Sequence, residues 1–441
     1  MNFKEKLSSQ PFLKKLQTQK EFRGVVTNIG WLFADRVLRM GIGLVVGVWV
    51  ARYWGVEQFG TFNYAAAFVV LFSTCASLGL PSLIIREITN EPEKKEQILG
   101  TAFWLQLSGG IAALLLAITT ISILRHDDPV TIGLVSILAS VSIFQAFDTI
   151  DLWFQSQVNS KYTVLAKNAA FLVITLFKVL LISIHAPLLS FAWATLAEAA
   201  IGSVGLIYCY KLQGYFISMW KWDFHIAKKL LRESYPLIFS GMAVVIYMKI
   251  DQIMLGEMIG SQSVGIYSAA TRISEIWYFI PTAIAASIYP AIFSAKKEGD
   301  EILYYRRIQQ LLRLLSKIAI IIAVPMSFLS GDVVTILFGS EYSAAGPILA
   351  IHIWAAVFVF MGVGTSSWFI AEGLTYLTFH RSLIGAAMNI MLNFVLIPMY
   401  GGIGAAIATV ISQAFASFIS NAFNLKSRKI FLIQLKSLSI F

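Results

Sequence analysis

Charge is what this chain has least of: Asp, Glu, Lys and Arg make up 13% of its 441 residues, against roughly 25% in a soluble domain. Water is therefore not its main solvent. Cysteine is nearly absent as well. Cys75 and Cys209 stand alone inside apolar runs, so they supply neither a disulfide framework nor a metal site and read as buried thiols. His126, His185, His225, His352 and His380 are scattered without metal-ligand spacing. A phosphate-binding glycine loop with its lysine is missing too, which argues against ATP-driven work by this chain alone. The basic N-terminus is not followed by a short apolar core and a small-residue cleavage site, so the first apolar run is expected to be a retained helix.

What is abundant is apolar: 57% of the residues are hydrophobic, and mean hydropathy is +0.73. The net charge of +10 does not point to nucleic acid, because the Lys and Arg residues lie between apolar segments and form no recognisable binding module. A spanning helix needs about 20 mostly apolar residues. Twelve segments meet that length: 26–51, 61–84, 99–124, 130–155, 163–184, 188–210, 235–258, 264–292, 315–338, 345–370, 382–399 and 402–424. The expected fold class is an all-α polytopic membrane protein.

Orientation follows from the basic residues. With the N-terminus cytoplasmic, 27 of the 34 Lys and Arg fall in inner segments, and only Arg52 and Arg125 fall in outer loops. Both ends are therefore expected inside, and no outer loop is long enough to fold into a domain. The expected domains are an N-terminal bundle over 1–212, a cytoplasmic linker over 213–234, a C-terminal bundle over 235–424 and a basic tail over 425–441. Within Lys296–Lys317, Leu303, Leu311, Leu314 and Leu315 alternate with Arg306, Arg307 and Arg313, the pattern of an interfacial helix on anionic lipid. The tail carries a similar pattern.

A shift of 205 residues aligns Trp54–Ala65 with Ile259–Ala270, so that Gly55 meets Gly260, Gly60 meets Gly265 and Phe62 meets Tyr267. Each motif joins the first two helices of a six-helix half. An even number of spans separates the two motifs, which makes the halves parallel repeats. Transporters built this way bind cargo near the midplane between the halves.

The stretch Val45–Leu80 carries the pattern ARYxG-x-x-x-FG-x-x-x-YA in Ala51, Arg52, Tyr53, Gly55, Phe59, Gly60, Tyr64 and Ala65. It strongly resembles the Wzx-type polysaccharide (O-antigen) flippases, and Asp251–Glu275 and Gly401–Thr409 are similar to matching segments of that family. The resemblance covers nearly the whole chain. It implies two six-helix bundles in the arrangement shared with multidrug-and-toxin extruders and lipid II flippases. It also implies a bacterial inner-membrane location, without enzymatic activity. The implied cargo is an oligosaccharide on undecaprenyl diphosphate, destined for lipopolysaccharide or a related polymer, with a polysaccharide polymerase and a chain-length regulator as partners.

Charges inside spans cost roughly 2.5–3.5 kcal/mol each on insertion scales, so they border a cavity or each other. Asp35 with Arg39, and Arg272 with Glu275, have the spacing of ion pairs within one helix. Arg36, Lys178 and Lys249 have no such acid and need partners elsewhere. Arg36, Arg39, Lys178, Lys249 and Arg272 are the candidate cations for an anionic head group. Gln145, Asp148, Asp151 and Gln155 form one polar stripe on the fourth helix. Together with Glu198 and Asp251, its two carboxylates are candidates for proton or sodium antiport; an interhelical salt bridge is the alternative reading of each. Pro81, Pro281, Pro290 and Pro325 are candidate hinges. Trp31, Trp54, Trp153 and Trp220 read chiefly as interface-belt residues, with sugar stacking as the alternative.

Two readings compete with the flippase. A multidrug exporter shares the architecture but calls for an apolar, acidic cavity, whereas this chain is rich in lone cations. A membrane polymerase or glycosyltransferase calls for a long outer loop or a paired-acid motif, and the sequence has neither.

Overall fold

The computed structural model describes the backbone of residues 11–438 and the side chains of 30–438, apart from Leu32, Cys75, Pro236, Leu237 and Ser240. The expectation for Cys75 falls outside the described side chains; Cys209 is half-buried, its Sγ 3.6 Å from the Tyr162 carbonyl oxygen.

The described chain is helical, with no strand. In order, the elements are α1 (Pro11–Ala76), α2 (Pro81–Asn90), α3 (Lys95–Leu124), α4 (Pro129–Ser156), α5 (Lys161–Ser183), α6 (Leu188–Leu212), α7 (Phe224–Met258), α8 (Ser261–Lys297), α9 (Glu301–Phe338), α10 (Ala345–Ala371), α11 (Thr375–Tyr400), α12 (Gly402–Phe423) and α13 (Arg428–Leu438). Among the described residues, nine helices are long and apolar enough to cross a membrane, which makes this a multi-pass membrane protein. The two long elements outside those nine are α1 and α7, which carry Asp35, Arg36 and Arg39, and Lys249, Asp251 and Glu257. α1 turns back on itself at Gly55. Its two limbs with α3–α6 make one set of six, and α7–α12 make the other, the twelve expected spans.

Aspartate caps start three of these helices by accepting from backbone N–H groups left free in the first turn. Asp128 accepts from Thr131 N at 3.0 Å, Asp223 from His225 N at 2.8 Å, and Asp300 from Leu303 N at 2.8 Å. The Asp223 cap corrects one expectation. α7 begins at Phe224, so half of the expected linker is helix continuous with the span. The 296–317 stretch is likewise not a separate surface helix. Most of it forms the first half of the 38-residue α9, with Tyr304, Ile308, Leu311 and Leu315 buried against the bundle while Leu314 stays exposed. α13 packs on the same bundle through Ile430 and through Gln434, which accepts from Asn421 Nδ2 at 2.8 Å. Pro290 and Pro325 lie within helices, and Pro81 opens α2. Trp54 and Trp153 are buried, not belt residues, whereas Trp31 is exposed.

The repeat is visible in the backbone. Gly55 adopts φ 70°, ψ 178° and Gly260 adopts φ 127°, ψ 173°, a region open essentially to glycine alone. Five residues later the motifs meet each other. A Cβ on Gly60 would lie 1.8 Å from the Ser261 oxygen, and one on Gly265 would lie 2.0 Å from the Val56 oxygen. Val56 and Ser261 are themselves 205 apart, so the contact is reciprocal, as across a two-fold axis. The halves touch, backbone to backbone, at one end of the bundle. This end is called the closed face below; the other end, carrying the connections rich in Lys and Arg, is the basic face.

Gly60→Val cannot fit without separating the two motifs. Spin labels placed at the closed-face ends of α3 and α9 should therefore report a longer distance in the variant than in the parent. An unchanged distance distribution would contradict the contact.

Candidate functional site

The closed face is sealed by more than glycine. Arg52, at the end of the first limb of α1, donates from Nε to the Leu337 carbonyl oxygen at 2.8 Å and from Nη2 to that of Ile336. A cation there neutralises the negative end of α9. Tyr342 Oη donates to Ala51 O at 2.8 Å, and Phe59 is buried against Phe338 and Tyr342. Across the axis, Tyr64 Oη donates to Glu257. Arg125 Nε donates to the same carboxylate at 3.1 Å, and its guanidinium stands 4.3 Å over the Tyr64 ring. Burial works to lower the Arg125 pKa, but Tyr64 and Glu257 outweigh it, so the group is held above its usual range and stays cationic. The loop residues Arg52, Gly55, Phe59, Gly60 and Tyr64 thus all belong to this seal.

Behind it, three adjoining cavities run through the first half toward the basic face. The one nearest the seal, about 250 Å³, is lined by Trp54, Phe59 and Phe62 and by the cations Lys178 and Arg272. The middle one, about 300 Å³, holds Arg39, Glu198, Gln145 and Asp148 and shares Thr195 with the first. The third, about 410 Å³, adds Ser77, Gln106 and Asp151 and shares Gln145, Asp148 and Lys167 with the second. Asp148 keeps 48% of its side-chain surface exposed, so this chain of cavities is not closed off at that residue.

The cations divide by environment. Arg39 binds Asp35 at 2.8 Å and lies 3.7 Å from Glu198, which is 3.5 Å from Lys178. One carboxylate therefore serves two cations from α1 and α5. Even so, Arg39 Nη2 is buried without a hydrogen-bond partner. Arg272 does not pair with Glu275 as the spacing suggests. It crosses to the other half, donates to Gly43 O at 2.9 Å, and has no carboxylate partner among the described residues. Gly47 makes room for it: a Cβ there would lie 2.1 Å from the guanidinium. Lys249 takes Glu275 instead, at 3.4 Å, and lines none of the three cavities. Arg36 is exposed, lines none of them, and has no ion-pair partner among the described residues.

The acids divide too. Asp148 and Asp151 clamp Lys167 at 2.8 and 2.7 Å. Lys167 lies inside α5, within the expected span 163–184. Among the described residues, Asp251 has no cation as an ion-pair partner. It accepts from Tyr267 Oη at 2.7 Å, Asn393 Nδ2 at 2.6 Å and Thr409 Oγ1, all of them buried. Asn389 continues the network, and Asn393 Oδ1 is buried without a partner. Sequence reasoning passed over Asn389 and Asn393, although two amides four apart in an apolar helix carry the same signal as the stripe on α4.

This arrangement sits in a recognisable frame. A family model described as "Polysaccharide biosynthesis protein" matches residues 25–296, and a second, MatE, matches 236–395. The chain belongs to the polysaccharide biosynthesis protein family. It is 36% identical over 182 residues to the probable flippase AglR of Haloferax volcanii, covering 40% of this chain and 37% of that one. The match thus spans little more than a third of the archaeal protein. To the capsular polysaccharide biosynthesis protein CapF of Staphylococcus aureus it is 23% identical, over 90% of this chain and 98% of that one. Its fold is similar to an inward-facing multidrug resistance MATE family transporter of the MOP superfamily (TM-score 0.74, 16% identity, 90% and 95% covered). It is also similar to the lipid II flippase MurJ in an inward closed conformation (TM-score 0.66, 18% identity, 94% and 91% covered).

Glu198→Ala leaves Lys178 without a carboxylate in a poorly hydrated setting. It should destabilise the purified protein by about 2–3 kcal/mol, less than a dry pair would lose, because these side chains keep about a quarter of their surface exposed. Adding Lys178→Ala should recover most of the loss in thermal melts. Equal melting of all three proteins would contradict the pairing.

Proposed function

We propose that this chain is a flippase that carries an undecaprenyl-diphosphate-linked oligosaccharide from the inner to the outer leaflet of a bacterial inner membrane by alternating access. Both termini are cytoplasmic in this reading, so the basic face is the cytoplasmic one and the closed face the outer one. The observation that carries it is the convergence of Arg39, Lys178 and Arg272 on adjoining cavities that lie behind a face closed backbone to backbone. A diphosphate cannot cross hydrocarbon unshielded, and charge-assisted hydrogen bonds from such cations replace its water. Arg39 has a buried N–H to give and Arg272 has no carboxylate to release, so an anionic group entering here meets donors already in place. The family membership and the relatives named as flippases support the same reading. Lys249 and Arg36 are left out of the head-group site. A polymerase and a chain-length regulator would receive the exported unit.

Of the four carboxylates considered for coupling, Asp251 suits an ion best. Asp148, Asp151 and Glu198 already neutralise lysines, whereas Asp251 faces only neutral donors. With Thr409 and the free Asn393 oxygen it offers the hard oxygen ligands that suit sodium, and protonation would equally relieve its charge. Each cargo cycle would then exchange against Na+ or H+ bound at this network in the second half.

Two measurements test the proposal in proteoliposomes loaded with a fluorescent undecaprenyl-diphosphate sugar. Arg272→Ala and Lys178→Ala should each slow its transfer across the membrane at least tenfold at unchanged protein yield, and wild-type rates in both would sink the reading. Asp251→Asn, which keeps the shape of the side chain, should abolish the response to an imposed Na+ or H+ gradient. A response that survives in that variant would remove Asp251 as the coupling residue.

A further inference from the structure

The polar stripe on α4 is more than charge balance requires. Asp148 and Asp151 together neutralise one lysine and leave one negative charge over, and Gln145 beside them pairs with nothing charged. These groups wall the third cavity with Gln106 from α3, Ser73 and Thr74 from the second limb of α1, and Ser77 just beyond its end. Gln106 is 5% exposed. Its Oε1 accepts from Thr149 at 3.1 Å, while its Nε2 donates to nothing among the described residues. Asp151 Oδ1 likewise has no partner. A buried carboxylate oxygen without a partner, beside an amide nitrogen whose hydrogens are not donated, is costly unless something polar meets them.

We propose that this cavity is a subsite for the sugar hydroxyls of the cargo, and that it selects uncharged sugar residues over uronic acids. The proposal rests on the export reading and extends it. Hydroxyls both donate and accept, so they match a wall of amides, carboxylates and hydroxyls, whereas a diphosphate, which only accepts, matches the cations of the adjoining cavities. The shared residues Gln145, Asp148 and Lys167 make the subsite continuous with the head-group site, as a glycan joined to its diphosphate requires. Selectivity follows from the sign of the residual charge. Lys167 is tied to two aspartates, so a sugar carboxylate would meet net negative charge with no free cation.

The test measures binding of purified protein in nanodiscs to three probes: undecaprenyl diphosphate alone, the same lipid carrying a neutral N-acetylhexosamine, and the same lipid carrying a hexuronic acid. The neutral glycolipid should bind at least tenfold more tightly than either of the others. Gln106→Leu should erase that preference and retain affinity for undecaprenyl diphosphate. Because Gln106 also helps join α3 to α4, Ser77→Leu serves as a second variant, crowding the cavity without touching that bond, and should have the same effect. Equal binding of all three probes by the parent, or a preference that persists in both variants, overturns the subsite alone. Binding of none of the probes overturns the export reading and the subsite with it.

Discussion

An ion inside hydrocarbon must be paired or hydrated, and the organisation of this molecule answers that demand. Arg39, Glu198 and Lys178 satisfy it by sharing one carboxylate between two cations on different helices. Lys167 satisfies it between two aspartates. Asp251 satisfies it with neutral donors only. Arg272 satisfies it least, with a carbonyl and a cavity. The further a group falls short of full pairing, the better placed it is to bind something that comes and goes.

The same logic separates the two halves. The first half keeps its charges around space, in three linked cavities. The second half keeps Asp251 in a dry network of asparagine, threonine and tyrosine. The proposed export cycle would place cargo and coupling ion in different halves, and α7 and α8 connect them: α7 supplies Asp251 and α8 supplies Arg272 and Tyr267. The shared element gives a physical route by which neutralising Asp251 could alter the position of Arg272. The seal formed by Gly60, Gly265 and their flanking residues is the part that the proposed outward release would have to open. It joins backbone contact and a few polar groups to an apolar cluster that includes Phe59, Val264, Phe338 and Tyr342.

Much of this was legible in the sequence. Twelve apolar runs gave the spans, and the 205-residue shift identified two glycines whose backbone proves to be alike. Asp35 and Arg39 paired as their spacing required. What could not be read was which helix lies beside which. Glu275 is three residues from Arg272 but pairs with Lys249, because α7 runs alongside α8 and the guanidinium is drawn across to Gly43. The linker and the amphipathic 296–317 stretch ran on into spans because helical hydrogen bonding continues past the point where hydropathy falls, until a cap stops it.

The central claim is that a hydrated, cation-lined cavity is reached from one face at a time. Thr195, shared by the first and middle cavities, reports on it directly. In oriented vesicles, a Thr195→Cys variant in a Cys75→Ser, Cys209→Ser background is treated with a membrane-impermeant thiol reagent added to either side. Labelling should occur from the basic face, and undecaprenyl-diphosphate sugar together with the coupling gradient should make the site reactive from the other. A thiol that reacts from neither side under any condition would mean a solid interior, and would contradict the account.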